Sequence, residues 1–177
     1  MAITLKSVIL PTPTRHDLWQ PQRTWCAKVT GMHTITLSIA PLVGTVPAVK
    51  MKTFLVEDNP TIRENLISTL EELAPIESVG SAETAEEGAA WLTGGQSCWD
   101  LAIVDLFLKS GTGLRVLQAC QGRPPCQKMV VFSNYATREM RLRCAELGAD
   151  AIFDKSTEID ALLNYCQRQS ENLARSK

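Results

Sequence analysis

From Met51 onward the sequence predicts a doubly wound α/β fold, and three observations carry that expectation. Short apolar runs recur along the chain, amphipathic stretches separate them, and residues capable of chemistry fall directly after the runs. Alternation of this kind fits a parallel sheet covered on both faces. Parallel strands need a crossover between them, and each crossover helix buries one apolar strip on the sheet.

The first run, 53–56, is followed by Asn59 as a helix N-cap and by Pro60 at the first helical position, where the missing amide hydrogen costs nothing. Ile62, Leu66, Leu70 and Leu73 then recur at helical spacing until Pro75 ends the helix. The second run, 76–79, leads to a helix with Ala85, Ala89 and Leu92 on its apolar side, and the third, 101–104, to one with Leu114 and Leu117. The fourth run, 129–132, precedes a helix carrying Met140, Cys144 and Leu147, with Gly148 placed as its C-cap. The fifth, 151–153, precedes a last helix with Ile159, Leu162, Leu163 and Cys166 facing inward. Trp91 and Trp99 read as packing residues. Five strands and five helices in this order match the flavodoxin-like (βα)5 class, with a five-stranded parallel sheet ordered 2-1-3-4-5.

Length and charge divide the chain at the same place. Its 177 residues are 45% hydrophobic, enough for one domain with a substantial core plus an additional piece. Residues 1–50 carry five Lys or Arg against one acid, whereas 51–177 carry thirteen against eighteen. Five prolines and many threonines, with no sustained periodicity beyond a short strand at 34–39, lead us to expect a largely disordered extension at 1–50, or a natural start at Met51. The mildly acidic body offers no basic face for nucleic acid. The longest apolar stretch, 39–49, is broken by Pro41, Gly44 and Pro47 and is too short for a membrane span. Cys26, Cys98, Cys120, Cys126, Cys144 and Cys166 are scattered and read as small apolar residues of a cytoplasmic protein rather than as a disulfide framework. Both histidines, His16 and His33, precede the organised part, which excludes His-based metal sites and Ser/His/Asp or Cys/His catalysis there.

Ligands of such sheets bind outside the carboxyl ends of the strands. The first run ends in Glu57 and Asp58, the third in Asp105, the fourth in Ser133, and the fifth leads to Lys155. In the order 2-1-3-4-5 these five residues converge. Three neighbouring carboxylates repel one another unless a cation compensates, and oxygen ligands without His or paired Cys favour Mg²⁺. A carboxylate, a metal, a lysine and a hydroxyl are the parts that phosphoryl transfer needs, with Asp105, at the end of the apolar run LAIV, the best nucleophile.

The segments FLVEDN, AIVDLFLKSGTGL, VVFSN and FDKS, in this order and spacing, resemble the four signature segments of two-component response-regulator receiver domains. The resemblance spans 51–166, nearly all of the organised chain. It implies Asp105 as phosphoacceptor and Glu57, Asp58 and Asp105 as Mg²⁺ ligands, completed by the backbone carbonyl of Phe107. It also implies Ser133 as the switch hydroxyl, Lys155 as the phosphoryl contact and Gly113 as the loop glycine. The sequence departs from the family at Ser156, where proline is usual, and at Ile152, where an aromatic residue is usual, leaving neighbouring Phe153 to pack differently. Phe107 and Tyr135, two residues beyond the acceptor and the hydroxyl, are bulky enough to restrict attacking water, so slow self-dephosphorylation is expected.

Other classes fit less well. A haloacid-dehalogenase-type phosphatase shares an Asp nucleophile with Mg²⁺, but the residue two beyond Asp105 is Phe107 rather than an acid. A phosphorylation-independent receiver-like binding module would be expected to lack one of the site residues, and all are present. A flavin protein would need a phosphate-cradling loop in place of Glu57, Asp58 and Pro60. Arg138, Arg141 and Arg143 suit a solvated helix better than a docking face. The short tail after Lys155 leaves room for one helix, so the expectation is a stand-alone, chemotaxis-type regulator. Such a protein takes its phosphoryl group from a sensor histidine kinase or phosphotransfer protein and signals to a downstream protein, without direct nucleic-acid or membrane binding. Its family admits a homodimer.

Overall fold

The computed structural model describes residues 49–95 and 98–176. The expected extension and the strand at 34–39 lie outside the described residues. Ten elements alternate along the chain: β1 (Met51–Val56), α1 (Pro60–Leu73), β2 (Ile76–Ala82), α2 (Ala85–Thr93), β3 (Leu101–Val104), α3 (Gly113–Ala119), β4 (Lys128–Ser133), α4 (Arg138–Glu146), β5 (Ala151–Asp154) and α5 (Ile159–Ser176). The strands form one parallel sheet in the order β2-β1-β3-β4-β5, as expected.

Strand alternation divides the core between the two faces of the sheet. Phe54, Val56, Ala102, Val104, Met129 and Val131 face one cluster with Leu92, Val116, Leu117 and Cys144 of α2, α3 and α4. Leu55, Leu101, Ile103, Val130 and Phe132 face the other, with Leu66, Leu70, Leu162 and Cys166 of α1 and α5. All four residues of β3 are buried, which is why that run reads as continuously apolar. Burial pushes the Cys166 thiol up to about 12, so it behaves as a packing group. The five described cysteines are free, and no described helix is long and apolar enough to cross a membrane.

The caps form as their residue types dictate. Asn59 Oδ1 accepts the amides of Thr61 and Ile62 at 3.0 and 3.2 Å, and Thr84 and Thr137 accept those of Glu87 and Met140. After α4, Gly148 adopts φ +88°, its amide donates to Ala145 and that of Ala149 to Cys144. This is a Schellman end, which a residue with a side chain fits poorly.

Two expected strips shift. In α1, Leu66 and Leu70 are buried, flanked by Ile67 and Ala74, while Ile62 and Leu73 are 37% and 52% exposed. Ile62 lies in the first turn, where β1 has ended, and Leu73 falls on the edge of the 66/70/74 row. In α2 the buried middle residue is Gly88 rather than Ala89. Trp91 stacks on Phe54 with ring centroids 3.9 Å apart, and Trp99 is buried with Nε1 donating to Leu92, so both tryptophans pack as expected.

At the amino end of the sheet Asp150 accepts Arg123 Nη2 at 2.6 Å, Lys128 Nζ at 3.2 Å and the Met129 amide at 2.8 Å. Burial opposes its ionisation, but these donors prevail and hold its carboxyl below the usual range. A depressed pKa adds stability above the unfolded value that is lost as pH falls through the folded one. Asp150→Asn should therefore lower the denaturation midpoint at neutral pH, and the gap to wild type should close in acid, below the unfolded carboxylate range. A pH-independent gap in urea melts would show that the charge contributes nothing.

Candidate functional site

The strand order reverses direction at β1, since β2 lies on one side of it and β3 on the other. The residues that follow β1 and β3 therefore face each other across a crevice. The main chain fixes both: the Glu57 amide donates to Ala82 at 3.0 Å and the Asp105 amide to Val56 at 2.9 Å.

Glu57, Asp58 and Asp105 each present a carboxylate oxygen, and these lie within 4.8 Å of one another. Lys155 enters from the turn after β5, where its amide donates to Ser133 at 3.2 Å. Its ammonium donates to Glu57 Oε2 at 2.5 Å and to Asp105 Oδ2 at 2.6 Å. The side chains of Lys155, Glu57 and Asp105 are 10%, 3% and 11% exposed, so these ion pairs are largely shielded from solvent. Ser133 ends β4 next to β3. Its hydroxyl is buried and meets no hydrogen-bond partner among the described residues, a condition that costs about 1–3 kcal/mol unless an acceptor or donor arrives. The structure thus brings the side chains of Glu57, Asp58, Asp105 and Lys155 together, with Ser133 at the end of the neighbouring strand β4.

The donor set fits a divalent cation. Three formal negative charges share one ion-paired ammonium, that of Lys155, and every candidate ligand atom is oxygen. Phe107 adjoins the cluster through its amide, which donates to Asp105 Oδ1 at 3.3 Å.

Gly113 has a steric rather than a chemical role. A Cβ at this position would lie 2.2 Å from the carbonyl oxygen of Asp105, because α3 starts directly against the chain that carries Asp105 and the Gly113 amide donates to Leu106. Backbone must move to admit a methyl group. Gly113→Ala should cost about 2 kcal/mol or more in chemical denaturation. An unchanged midpoint would mean that this loop is more compliant than it looks.

Three site neighbours escaped the sequence reading. Lys109 donates through its amide to Asp58 Oδ2 at 3.1 Å and through Nζ to the Asp58 carbonyl at 3.4 Å, so it holds that carboxylate toward the α3 loop. Arg63 reaches back from α1 to the Glu57 carbonyl at 2.9 Å and pairs with Glu83 at 3.0 Å. Arg141, expected on a solvated helix, instead bonds to the Ala136 carbonyl in the loop after β4 and to the Ile152 carbonyl in β5. Each looks in sequence like an ordinary surface cation, and no spacing rule marks it. Phe107 and Tyr135, 51% and 56% exposed, pack with their rings tilted and centroids 4.3 Å apart. Ile152 packs inward beneath α4, whereas Phe153 lies on the opposite face against Tyr165. The alternation of β5 therefore prevents Phe153 from standing in for an aromatic ring at 152.

Comparison with known proteins agrees with this arrangement. Residues 53–167 match the response regulator receiver domain family. The DNA-binding transcriptional activator DevR/DosR of Mycobacterium tuberculosis is 26% identical over 99 residues, which are 56% of this chain and 45% of that protein. The chain thus spans less than half the length of this relative. The receiver domain of a Francisella response regulator superposes with a TM-score of 0.61 at 16% identity, covering 72% of this chain and all of that one. The phosphorylated cyanobacterial phytochrome response regulator RcpA does so with a TM-score of 0.53 at 25% identity, covering 69% and 92%. With the family model covering most of the chain and the five-stranded sheet in the same order, this protein belongs to the response regulator receiver domain family.

Proposed function

We propose that Asp105 is the phosphoacceptor of a two-component or phosphorelay pathway. The observation that carries this reading is the convergence of Lys155 Nζ on Glu57 and Asp105, with the buried Ser133 hydroxyl at the end of β4 meeting no partner among the described residues. In the transfer, an Asp105 carboxylate oxygen attacks the phosphorus of a phosphohistidine in line. The new O–P bond forms as the N–P bond breaks, and the imidazole leaves. Lys155 exchanges its carboxylate partner for a phosphoryl oxygen and Ser133 donates to another, so both act where charge accumulates. Glu57, Asp58, Asp105 and the Phe107 carbonyl are the proposed Mg²⁺ ligands; when bound, the ion neutralises carboxylate and phosphoryl charge.

The donor is a sensor histidine kinase or phosphotransfer protein, and the output is contact with a further protein rather than DNA binding by this chain. DevR/DosR is a DNA-binding activator, but this chain's acidic body favours a protein partner. Five free thiols among the described residues suit a reducing cytoplasm.

The test is incubation of the full chain with Mg²⁺ and acetyl phosphate, followed by intact mass. A single phosphoryl adduct that disappears with EDTA is expected. If neither acetyl phosphate nor phosphohistidine donors yield one while the protein is folded and binds Mg²⁺, the phosphorylation-independent binding module becomes the better reading.

The aromatic pair over the site predicts a long-lived adduct. We infer that Phe107 and Tyr135, whose rings pack 4.3 Å apart two residues beyond Asp105 and Ser133, together restrict the approach of water to the phosphoryl group. Phe107→Asn with Tyr135→Glu should speed loss of the phosphoryl group about tenfold, a change of about 1.4 kcal/mol in barrier. Unchanged decay would remove the pair from the hydrolysis pathway.

A further inference from the structure

We propose that Arg141 is a positioning residue for the phosphoacceptor site, an inference that rests on the receiver reading above. From α4 its Nε donates to the Ala136 carbonyl at 3.0 Å, Nη1 to the Ile152 carbonyl at 2.7 Å and Nη2 to Glu158 Oε2 at 2.7 Å. The same Glu158 oxygen accepts the Asp154 amide at 2.6 Å. In sequence, Ala136 lies three residues beyond Ser133, Ile152 three before Lys155, and Glu158 three after it. One guanidinium therefore fastens the loop that leaves the buried hydroxyl to the strand that delivers the ammonium and to the turn that follows it.

A lighter tie joins the same two loops closer to the site, where Ser156 Oγ donates to Asn134 Oδ1 at 3.2 Å. These bonds involve none of Glu57, Asp58 and Asp105, which hang from β1 and β3. The site thus has two halves carried by different strands and bridged by the Lys155 ammonium. The acids on β1 and β3 form the half suited to a cation, and Ser133 with Lys155 forms the half suited to phosphoryl oxygens. Arg141 holds the second half in register. Its side chain and that of Glu158 are 39% and 35% exposed, so the ion pair by itself contributes little. The value lies in geometry: a planar fork with fixed donors reaches two carbonyls and a carboxylate at once, which a lysine ammonium cannot do.

This division makes the role separable from ordinary structural support. A residue that merely stabilised the domain would, when lost, loosen cation binding and phosphorylation together. A residue that sets the fine placement of Ser133 and Lys155, without withdrawing the ammonium from the acids, would slow phosphorylation and leave cation binding nearly unchanged.

The experiment compares the full chain with Arg141→Ala, Arg141→Lys and Glu158→Gln. Adduct formation from acetyl phosphate is measured at saturating Mg²⁺, and Mg²⁺ affinity by titration calorimetry. Arg141→Ala should slow adduct formation about tenfold, as expected when catalytic groups are displaced by a fraction of an ångström. Arg141→Lys should be nearly as slow, and Mg²⁺ affinity should stay within about twofold of wild type, less than 0.6 kcal/mol. Combining Arg141→Ala with Glu158→Gln should slow the reaction no further, because the two side chains act as one unit. If Arg141→Ala does not fold, Arg141→Lys and Glu158→Gln carry the comparison. Wild-type rates in the folded variants, or rate and Mg²⁺ affinity falling in parallel, would overturn the proposal. A wild-type chain that forms no adduct with acetyl phosphate or phosphohistidine donors fails at an earlier point and overturns the receiver reading, and this inference with it.

Discussion

Asp105→Asn is expected to remove the phosphoryl adduct altogether, a fall of at least about a thousandfold in rate, because no other group at the site replaces a carboxylate nucleophile. The Ser133 hydroxyl is buried and meets no hydrogen-bond partner among the described residues, and Glu57 is nearly enclosed. The same change should leave the protein equally stable or more stable in the absence of Mg²⁺. It deletes one of three carboxylates whose oxygens lie within 4.8 Å, while Lys155 keeps Glu57 at 2.5 Å. Mg²⁺ should then raise the melting temperature less than it does in wild type, since one ligand is an amide. Intact mass and melts with and without Mg²⁺ read all three effects. An adduct persisting on the variant would move the acceptor elsewhere and break the assignment.

Lys155→Ala should act in the opposite direction on stability. The ammonium is the shared partner of Glu57 and Asp105, and Glu57 is too enclosed for water to replace it. Breaking a buried ion pair from one side costs about 3–5 kcal/mol, and the partial exposure of Asp105 and Lys155 brings the expected loss to about 2–3 kcal/mol. Mg²⁺ should recover much of it. With the competing cation gone, the acids bind the ion more tightly, and ligand binding to the folded state stabilises in proportion to the logarithm of ligand over Kd. The variant should therefore show a larger Mg²⁺-dependent shift than wild type, together with adduct formation slower by about 10²-fold for want of charge on the transferred group. Equal stability without Mg²⁺ and an equal shift with it would show that the pairing of Lys155 carries no energetic weight.

The two variants together separate charge from chemistry. Both should lose phosphorylation, but one relieves repulsion among the acids and the other exposes it. Opposite stability changes would support the charge balance that favours a divalent ion, and changes of the same sign would count against it.

Much of this was legible in the sequence because it is local. Asn59 before Pro60 announces the start of α1, the run LAIV announces a strand covered on both faces, and Gly148 announces the end of α4. Each depends only on residues within a few positions of one another. The five polar side chains of the site were also legible, because a parallel sheet places whatever follows its strands at one end, and the order of the strands then decides which ends are neighbours. Strip positions in helices were less so: periodicity marks Ile62, Leu66, Leu70 and Leu73 as one set, but where the sheet ends decides that only the middle two are buried.

The sequence by itself determined the ten elements, their parallel pairing and the identity of the acids, the hydroxyl and the lysine at the carboxyl edge, since burial periodicity, caps and strand ends are properties of neighbouring residues. Long-range packing settles that Lys155 is shared between Glu57 and Asp105, that Gly113 lies against the Asp105 carbonyl, that Phe153 faces away from the position an aromatic ring would need, and that Arg141 ties the loop after β4 to β5. Those are contacts between residues far apart in the chain, and their partners are set by strand register, face alternation and helix placement, none of which leaves a mark on the amino acids nearby.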